Sequence, residues 1–170
     1  MPATKTVTPF TAQLVTFETT TSPEQVVSRL DEQLRRPNCA GLIPLLSTAT
    51  SKEALEDGVR EIRQGNDFMY FLSMQHEKWL KLYDDNVPFV SVYTIGNPIV
   101  AQSIMKHELR AAYNIPPRLL IAEKEDRTGT RVIYHLPSSV MAIDNSNPEL
   151  AAALKALDEK LERLIIKVTE

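Results

Sequence analysis

The chain has 170 residues, of which 43% are hydrophobic and 24% are charged, and its net charge at pH 7 is −3. This composition is typical of a folded globular protein and excludes a collagen, a coiled coil or a disulfide scaffold. Because basic and acidic residues are mixed along the chain, with no basic half or stripe, we expect neither nucleic acid nor membrane as a partner.

The first third of the chain reads as one strand followed by two helices. Residues 10–18 are rich in β-branched and aromatic side chains, which predicts a strand. Ser22 followed by Pro23 is an N-cap signal, and the helix that it begins ends before Pro37. The segment Thr50–Glu53 reads as a capping box for a second helix, which Gly65 ends.

The middle of the chain predicts two strands and a helix. Residues 67–75 are apolar on both faces and predict a buried strand, with a helix as the main alternative. A short helical turn over 77–83 precedes a second strand over 87–95. Asn97 and Pro98 then cap a helix that we expect to extend to about Tyr113.

The last part predicts a hairpin and a long helix. Residues 119–123 and 131–136 form the strands of the hairpin, and 125–129 form its turn. A helix begins at Asn147 and carries one apolar stripe: Leu150, Leu154, Leu157, Leu161, Leu164 and Val168. The order β-α-(α)-β-β-α-β-β-α predicts an α+β fold with a mainly antiparallel sheet and helices packed on one face.

We expect a single domain over 1–170, in which 1–8 form a flexible or extended N-terminal arm. The N-terminus has no apolar run of signal-peptide length, no 18-residue apolar stretch occurs, and Cys39 is the only cysteine. These observations predict a cytoplasmic protein.

Cofactor and metal motifs are missing from the sequence. The five glycines never approach a dinucleotide-binding or phosphate-binding pattern, and the three histidines have no ligand spacing. We therefore expect no cofactor and no metal, and folding that does not depend on a metal.

Glu108 is the most informative single residue. On a wheel for a helix over 98–112 it falls in the middle of the apolar arc, with Lys106 and Arg110 on the opposite side. A core-facing carboxylate needs a partner, and Arg118 is the nearest basic residue beyond the helix. The hypothesis is a buried Glu108–Arg118 pair that is either structural or serves a ligand or acid–base chemistry.

Four further residues are candidates for a ligand site, each with a structural alternative. His76 precedes Trp79 and lies either at a pocket rim or on the surface, and His135 lies on the strand face opposite the core. Tyr93 belongs to an aromatic and Met-rich group that forms either core or the lining of an apolar cavity. Asn97 either caps its helix or presents free N–H groups to an anion.

From Val90 onwards the chain resembles the domain-of-unknown-function family 302. The resemblance rests on Tyr93–Pro98, the helix that follows, 117–121 and 132–134, with further matches at 137–139, 147–150 and the helix over 24–34, and it is weakest over 38–88. It implies a compact fold related to the TATA-binding-protein-like architecture, with helices on a curved sheet, and often a homodimer. It implies no reaction and no catalytic residue.

Three functions remain open from the sequence. The first is binding of a small apolar or amphipathic molecule in a cavity between sheet and helices. The second is a homodimeric interaction or structural protein, and the third is a cofactor-free acid–base enzyme of the isomerase, cyclase or lyase type. We expect a homodimer in any of these cases.

Overall fold

The computed structural model describes residues 2–170, and its centre is one five-stranded antiparallel sheet. The strands are β1 (Leu14–Thr19), β2 (Met69–Gln75), β3 (Val90–Gly96), β4 (Arg118–Glu123) and β5 (Thr130–His135). Their spatial order is β1-β5-β4-β3-β2, and every neighbouring pair is antiparallel. The predicted α+β class with a mainly antiparallel sheet is confirmed.

Helices connect the strands and follow the last one. They are α1 (Pro23–Gln33), α2 (Leu42–Thr48), α3 (Lys52–Arg63), α4 (His76–Leu80), α5 (Pro98–Met105), α6 (Pro137–Met141) and α7 (Pro148–Thr169). Two 3₁₀-helices span Arg36–Gly41 and Leu109–Asn114. The sequence signals predicted α1, α3, α5 and α7, and the predicted helical turn over 77–83 corresponds to α4. Helix α2, helix α6 and the first 3₁₀-helix were not predicted, and the second 3₁₀-helix was predicted as the end of α5.

The main core lies between one face of the sheet and the long helix α7. Tyr93, Ile95 and Leu119 are fully buried on the sheet side, and Leu154 and Leu161 are fully buried on α7. Each fully buried Leu or Ile contributes about 1.5–3 kcal/mol to folding, so this layer dominates stability. On α7 the predicted stripe is buried except that Ile165 takes the core position expected for Leu164, which is only partly buried.

Side-chain caps explain where three helices begin. Ser22 Oγ accepts a hydrogen bond from the Gln25 N–H, and Asn97 Oδ1 accepts one from the Ile99 N–H at 3.0 Å. Asn147 Oδ1 accepts from the Glu149 N–H at 2.8 Å. These caps are as predicted, because each satisfies N–H groups that a helix start leaves unpaired. The cap of α3 is Ser51, one residue after the predicted start of its capping box.

Within residues 2–170, the second face of the sheet is not covered by a layer of helices comparable to α7. Its central row of cross-strand neighbours is Met74, Val92, Leu120, Ile133 and Thr16, in which the three middle residues are half-buried. The strand predicted over 67–75 is present as β2, but the prediction that it is buried on both faces is wrong: Met74 is 54% exposed on this open face.

The N-terminal segment runs along the outside of the molecule. The predicted arm over 1–8 begins at Met1, which lies outside the described residues. Residues 2–13 are exposed and form no helix or strand, so β1 begins four residues later than predicted. Within residues 2–170, no helix is both long enough and apolar enough to cross a membrane.

Candidate functional site

An apolar cavity of about 570 Å³ lies beside α5, at the end of β3. Its walls come from α5, from residues 109 and 115–117 of the segment between α5 and β4, and from the inner surface of α7. The apolar lining includes Phe68, Phe71, Val100, Ala101, Ile104, Met105, Ile115 and Leu157. Cavities that bind small molecules in proteins have volumes of about 300–1,000 Å³ and the same predominantly apolar character.

The backbone at the end of β3 allows this wall to form. Gly96 is buried, and a Cβ atom placed on it would lie 3.0 Å from Pro116 Cβ and 3.4 Å from Phe71 Cε2. The absence of a side chain therefore lets the segment before β4 approach β3 closely. The Gly-Asn-Pro sequence that starts α5 thus also shapes the cavity.

Polar groups of the lining lie on or beside α5. Asn97 is nearly buried, and its side chain is used by the fold: Oδ1 caps α5, and Nδ2 donates to the Asp67 carbonyl oxygen at 3.1 Å. Gln102 and Lys106 are exposed and also line the cavity. Asn97 was a predicted site residue, whereas Gln102 and Lys106 were not.

Helix α5 ends earlier than the helical wheel assumed, and this corrects the predicted position of Glu108. The helix ends at Met105, so the 100° spacing that placed Glu108 in the apolar arc does not extend to it. Lys106 is the C-cap, keeps helical dihedral angles and is exposed, as the wheel predicted. No glycine or proline marks this end of the helix, and the residue that starts the next helical segment is Glu108, which is not among the usual N-caps. The local sequence therefore gives little indication that α5 ends before the 3₁₀-helix over 109–114.

Glu108 is nearly buried, as expected, but its partner is Arg110 and the predicted pair with Arg118 is wrong. Its Oε2 accepts a hydrogen bond from Arg110 Nη2 at 2.8 Å, and its Oε1 accepts from Arg110 Nε at 3.0 Å. Asn145 Nδ2 donates to the same carboxylate at 3.2 Å. The break after Met105 turns Glu108 away from the wheel position, toward the segment that precedes α7.

These bonds fix the charge of Glu108. Hydrogen bonds from the side chain and the backbone N–H of Arg110 lower the pKa of Glu108 to about 2. A carboxyl group with this pKa is ionised at neutral pH and holds no proton to donate. Arg110 also pairs with Asp144, so the cluster joins the 3₁₀-helix over 109–114 to the segment before α7.

Tyr93 belongs to a second cluster, which is organised by Arg36. Arg36 Nη1 donates to Asp31 Oδ2 at 2.9 Å and to the Tyr93 hydroxyl at 3.1 Å. Its Nη2 donates to the Tyr70 hydroxyl at 3.3 Å, and the guanidinium lies 4.5 Å from the centre of the Tyr70 ring. Ser73 completes the group. Arg36, Asp31, Tyr70 and Ser73 were not predicted, because residues from α1 and β2 meet only through the tertiary fold.

A hollow of about 690 Å³ lies beside this second cluster. Burial, with the nearby Asp31 carboxylate, raises the pKa of Tyr93 to about 12, so the phenol is neutral at physiological pH. Asp31 Oδ1 is buried and has no hydrogen-bond partner within residues 2–170. Cys39 lines the same hollow, and burial raises the pKa of its thiol, which disfavours the reactive thiolate.

The remaining predicted residues lie elsewhere. Arg118 and His135 line one hollow of about 30 Å³, which has room for little more than water. His76 starts α4, where its Nδ1 accepts a hydrogen bond from Trp79 Nε1 at 3.3 Å. The structure therefore brings only Arg118 and His135 together, and it does not unite the six candidates in one site. Among residues 2–170, no group of three or more His, Cys, Asp or Glu could hold a metal ion.

The fold and the cavity define a class of protein: a small α+β protein whose antiparallel sheet and helices enclose an apolar cavity. Residues 46–168 match the family model described as "Domain of unknown function DUF302", and the chain belongs to this family. The matched range includes most of the region in which the sequence resemblance was weakest, and it leaves out α1.

A solved structure shows the same fold. The crystal structure of an uncharacterized conserved protein DUF302 from Bacillus stearothermophilus is similar to this chain with a TM-score of 0.63 and 15% sequence identity. The similarity covers 91% of this chain and 97% of that chain. No protein with a curated description matches the chain.

Proposed function

We propose that this protein binds a small apolar or amphipathic molecule in the cavity beside α5. The observation that supports the proposal is the cavity itself: about 570 Å³, with a mainly apolar wall and a few polar groups on α5. A ligand gains about 0.8 kcal/mol for each methylene group that it removes from water. An alkyl or aryl group would be removed from water in this way by packing against Phe71, Val100 and Met105, which line the cavity and are half-buried.

The wall and its rim both suit such a ligand. Ile104 and Leu157 belong to the main core, so the inner wall is held in place by packing. At the rim, Leu46 is 39% exposed and Leu109 is 75% exposed, and both line the cavity. Exposed apolar side chains around a concave surface are common at ligand sites.

The acid–base alternative gains little from the residue that suggested it. Glu108 is ionised at neutral pH and bonded to Arg110 and Asn145 through both oxygens. A general acid needs a proton near pH 7, and a general base needs a free lone pair at the substrate. Binding without chemistry is therefore the better-supported proposal.

A homodimeric interaction protein is the second candidate, and the open face of the sheet favours it. Leu72 and Met74 are 53% and 54% exposed there, beside the half-buried row formed by Val92, Leu120 and Ile133. A second copy is the natural occupant, since two identical sheet faces can pack against each other around a two-fold axis.

Light scattering tests the dimer separately from the cavity. We expect twice 19.2 kDa at micromolar concentration and a monomer for Leu120→Asp. A wild-type mass of 19.2 kDa would overturn this candidate and leave the cavity proposal in place.

Titration with the neutral dye N-phenyl-1-naphthylamine tests ligand binding directly. Ala101 lies on α5 and lines the cavity, so Ala101→Leu fills part of it with a residue that favours helix. We expect the wild type to bind the dye and Ala101→Leu to bind it about tenfold more weakly, equivalent to about 1.4 kcal/mol.

Ala152→Leu is the matched control, because Ala152 is exposed on α7. It should bind the dye as the wild type does. The proposal fails if the wild type does not bind the dye, or if Ala101→Leu and Ala152→Leu bind it equally well.

A further inference from the structure

The charge at the cavity is positive and comes from one side chain. Of the lining residues, which all fall in the described part of the chain, Lys106 alone carries a charge. No carboxylate lines the cavity, so an anion entering it would meet no like charge in the wall. The exposed Lys106 places its ammonium group on a flexible stem at the mouth.

Lys106 differs from the arginines that organise the two clusters. Arg110 is paired with Glu108 and Asp144, and Arg36 is paired with Asp31. No carboxylate within residues 2–170 forms a salt bridge with Lys106. Glu108 is only two positions away, but its carboxylate is already bonded to Arg110 and Asn145.

We infer that the ligand is an amphiphile with one negative head group, of the class of aliphatic or aryl monocarboxylates. This inference rests on the proposed function. The apolar tail lies in the cavity against the half-buried Val100 and Met105, and the carboxylate pairs with Lys106 Nζ at the mouth. The head remains close to water, so the charge need not be buried, and the tail supplies most of the affinity.

The chemistry of the wall selects against two related ligands. A long-chain alcohol of equal length would gain the same burial but no charge interaction. A long-chain ammonium would bring its charge to the same mouth and be repelled by Lys106. The three head groups therefore form a ranked series, with the carboxylate binding most tightly and the ammonium most weakly.

Calorimetric titration with decanoate, decanol and decyltrimethylammonium tests the series at pH 7.5, with the two ionic ligands below their critical micelle concentrations and decanol below its solubility limit. We expect decanoate to bind the wild type several-fold more tightly than decanol, and this advantage to shrink as salt is added. Lys106→Met should reduce decanoate affinity to the level of decanol and leave decanol unchanged. Lys155→Met, at an exposed position on α7, is the matched control and should change neither.

Each other result contradicts a defined part of the account. If decanoate and decanol bind the wild type equally, the inference of an anionic head group is overturned and the cavity proposal stands. The same holds if the ammonium ligand binds most tightly. If Lys106→Met weakens the binding of decanoate and decanol equally, the anionic head group is also overturned, because Lys106 would then affect the shape of the cavity and would not pair with the carboxylate. Failure of all three ligands and of the neutral dye overturns the cavity proposal itself.

Discussion

Two hollows of the molecule, one beside Arg36 and one beside α5, differ in whether their polar side chains are already hydrogen-bonded within the fold. The hollow beside Arg36 is the larger, at about 690 Å³ against about 570 Å³, and it contains more charged side chains. Yet Arg36 is already bonded to Asp31, Tyr70 and Tyr93, and it thereby ties α1 and its 3₁₀-helix to the sheet; of the buried side-chain oxygen and nitrogen atoms in this cluster, Asp31 Oδ1 alone has no partner within residues 2–170. Beside α5 the wall is apolar, and Lys106 has no salt bridge within residues 2–170.

This difference shows that the volume of a hollow is a poor guide to a ligand site. Polar groups that satisfy one another hold the fold together, and displacing them costs the interactions that they make. A site for a ligand needs groups that the fold does not use.

The largest effect is expected from the wall of the cavity. Ile104 is fully buried and lines the cavity, so Ile104→Ala should lower the free energy of unfolding by about 2–5 kcal/mol. Urea denaturation measures it. Ile43→Ala is the matched control in the Arg36 hollow, where Ile43 is 53% exposed, and it should cost less than about 1 kcal/mol. Equal losses would mean that the inner wall is not part of the core.

Removal of the guanidinium should show that the Arg36 cluster is structural. The Arg36 side chain is 37% exposed, so Arg36→Met should cost about 1–2 kcal/mol, less than the 3–5 kcal/mol typical of a fully buried pair. Combined with Asp31→Asn, the loss should be smaller than the sum of the two single losses. An unchanged unfolding curve for Arg36→Met would contradict the structural role of Arg36, and Arg36 would then not differ from Lys106 in its use by the fold.

Acid titration tests the Glu108–Arg110 pair. Because the pKa of Glu108 is lowered from 4.5 to about 2, the pair stabilises the fold above about pH 4.5, and this stabilisation is lost as the pH falls toward 2. Glu108→Gln should therefore be less stable than the wild type at pH 7, and the two should converge near pH 2. Urea denaturation at both pH values measures this. If the difference in unfolding free energy between Glu108→Gln and the wild type does not change with pH, the ionised Glu108 does not stabilise the fold through Arg110.

The smallest effect is expected at Arg118. The buried Glu108–Arg118 pair expected from the sequence would make Arg118→Met as damaging as a change at Glu108, but Arg118 is exposed and the Glu108 carboxylate is held by Arg110. We now expect a change within about 0.5 kcal/mol in urea denaturation. A loss comparable to that of Glu108→Gln would restore the original pairing.

The sequence predicted the fold where local signals were strong. The Asn-Pro starts of α5 and α7 are caps whose bonds form between residues two or three positions apart, so they can be read locally. The β4–β5 hairpin is likewise local. The exposure of Met74 could not be read in this way, since it depends on whether another layer covers that face of the sheet.

The candidate site was predicted only in part, for a related reason. Tyr93 and Asn97 were singled out, and Asn97 does line the cavity. Glu108 was given the wrong partner because the helix was extended past its true end at Met105, and Lys106 was placed correctly on the exposed side but was not identified as a cavity residue. The Arg36 cluster needs α1, β2 and β3 to meet in space, and no spacing along the chain encodes that meeting.

Methyl NMR spectra recorded during titration with decanol show which of the two hollows binds an apolar ligand. Decanol has no charge, so its binding reports on the cavity alone. We expect chemical-shift changes at the methyl groups of Val100, Ile104 and Leu157, which line the cavity, and none at Ile43 in the other hollow. Changes at Ile43 without changes at Ile104, or no change at any methyl group, would contradict the assignment of the cavity beside α5 as the ligand site.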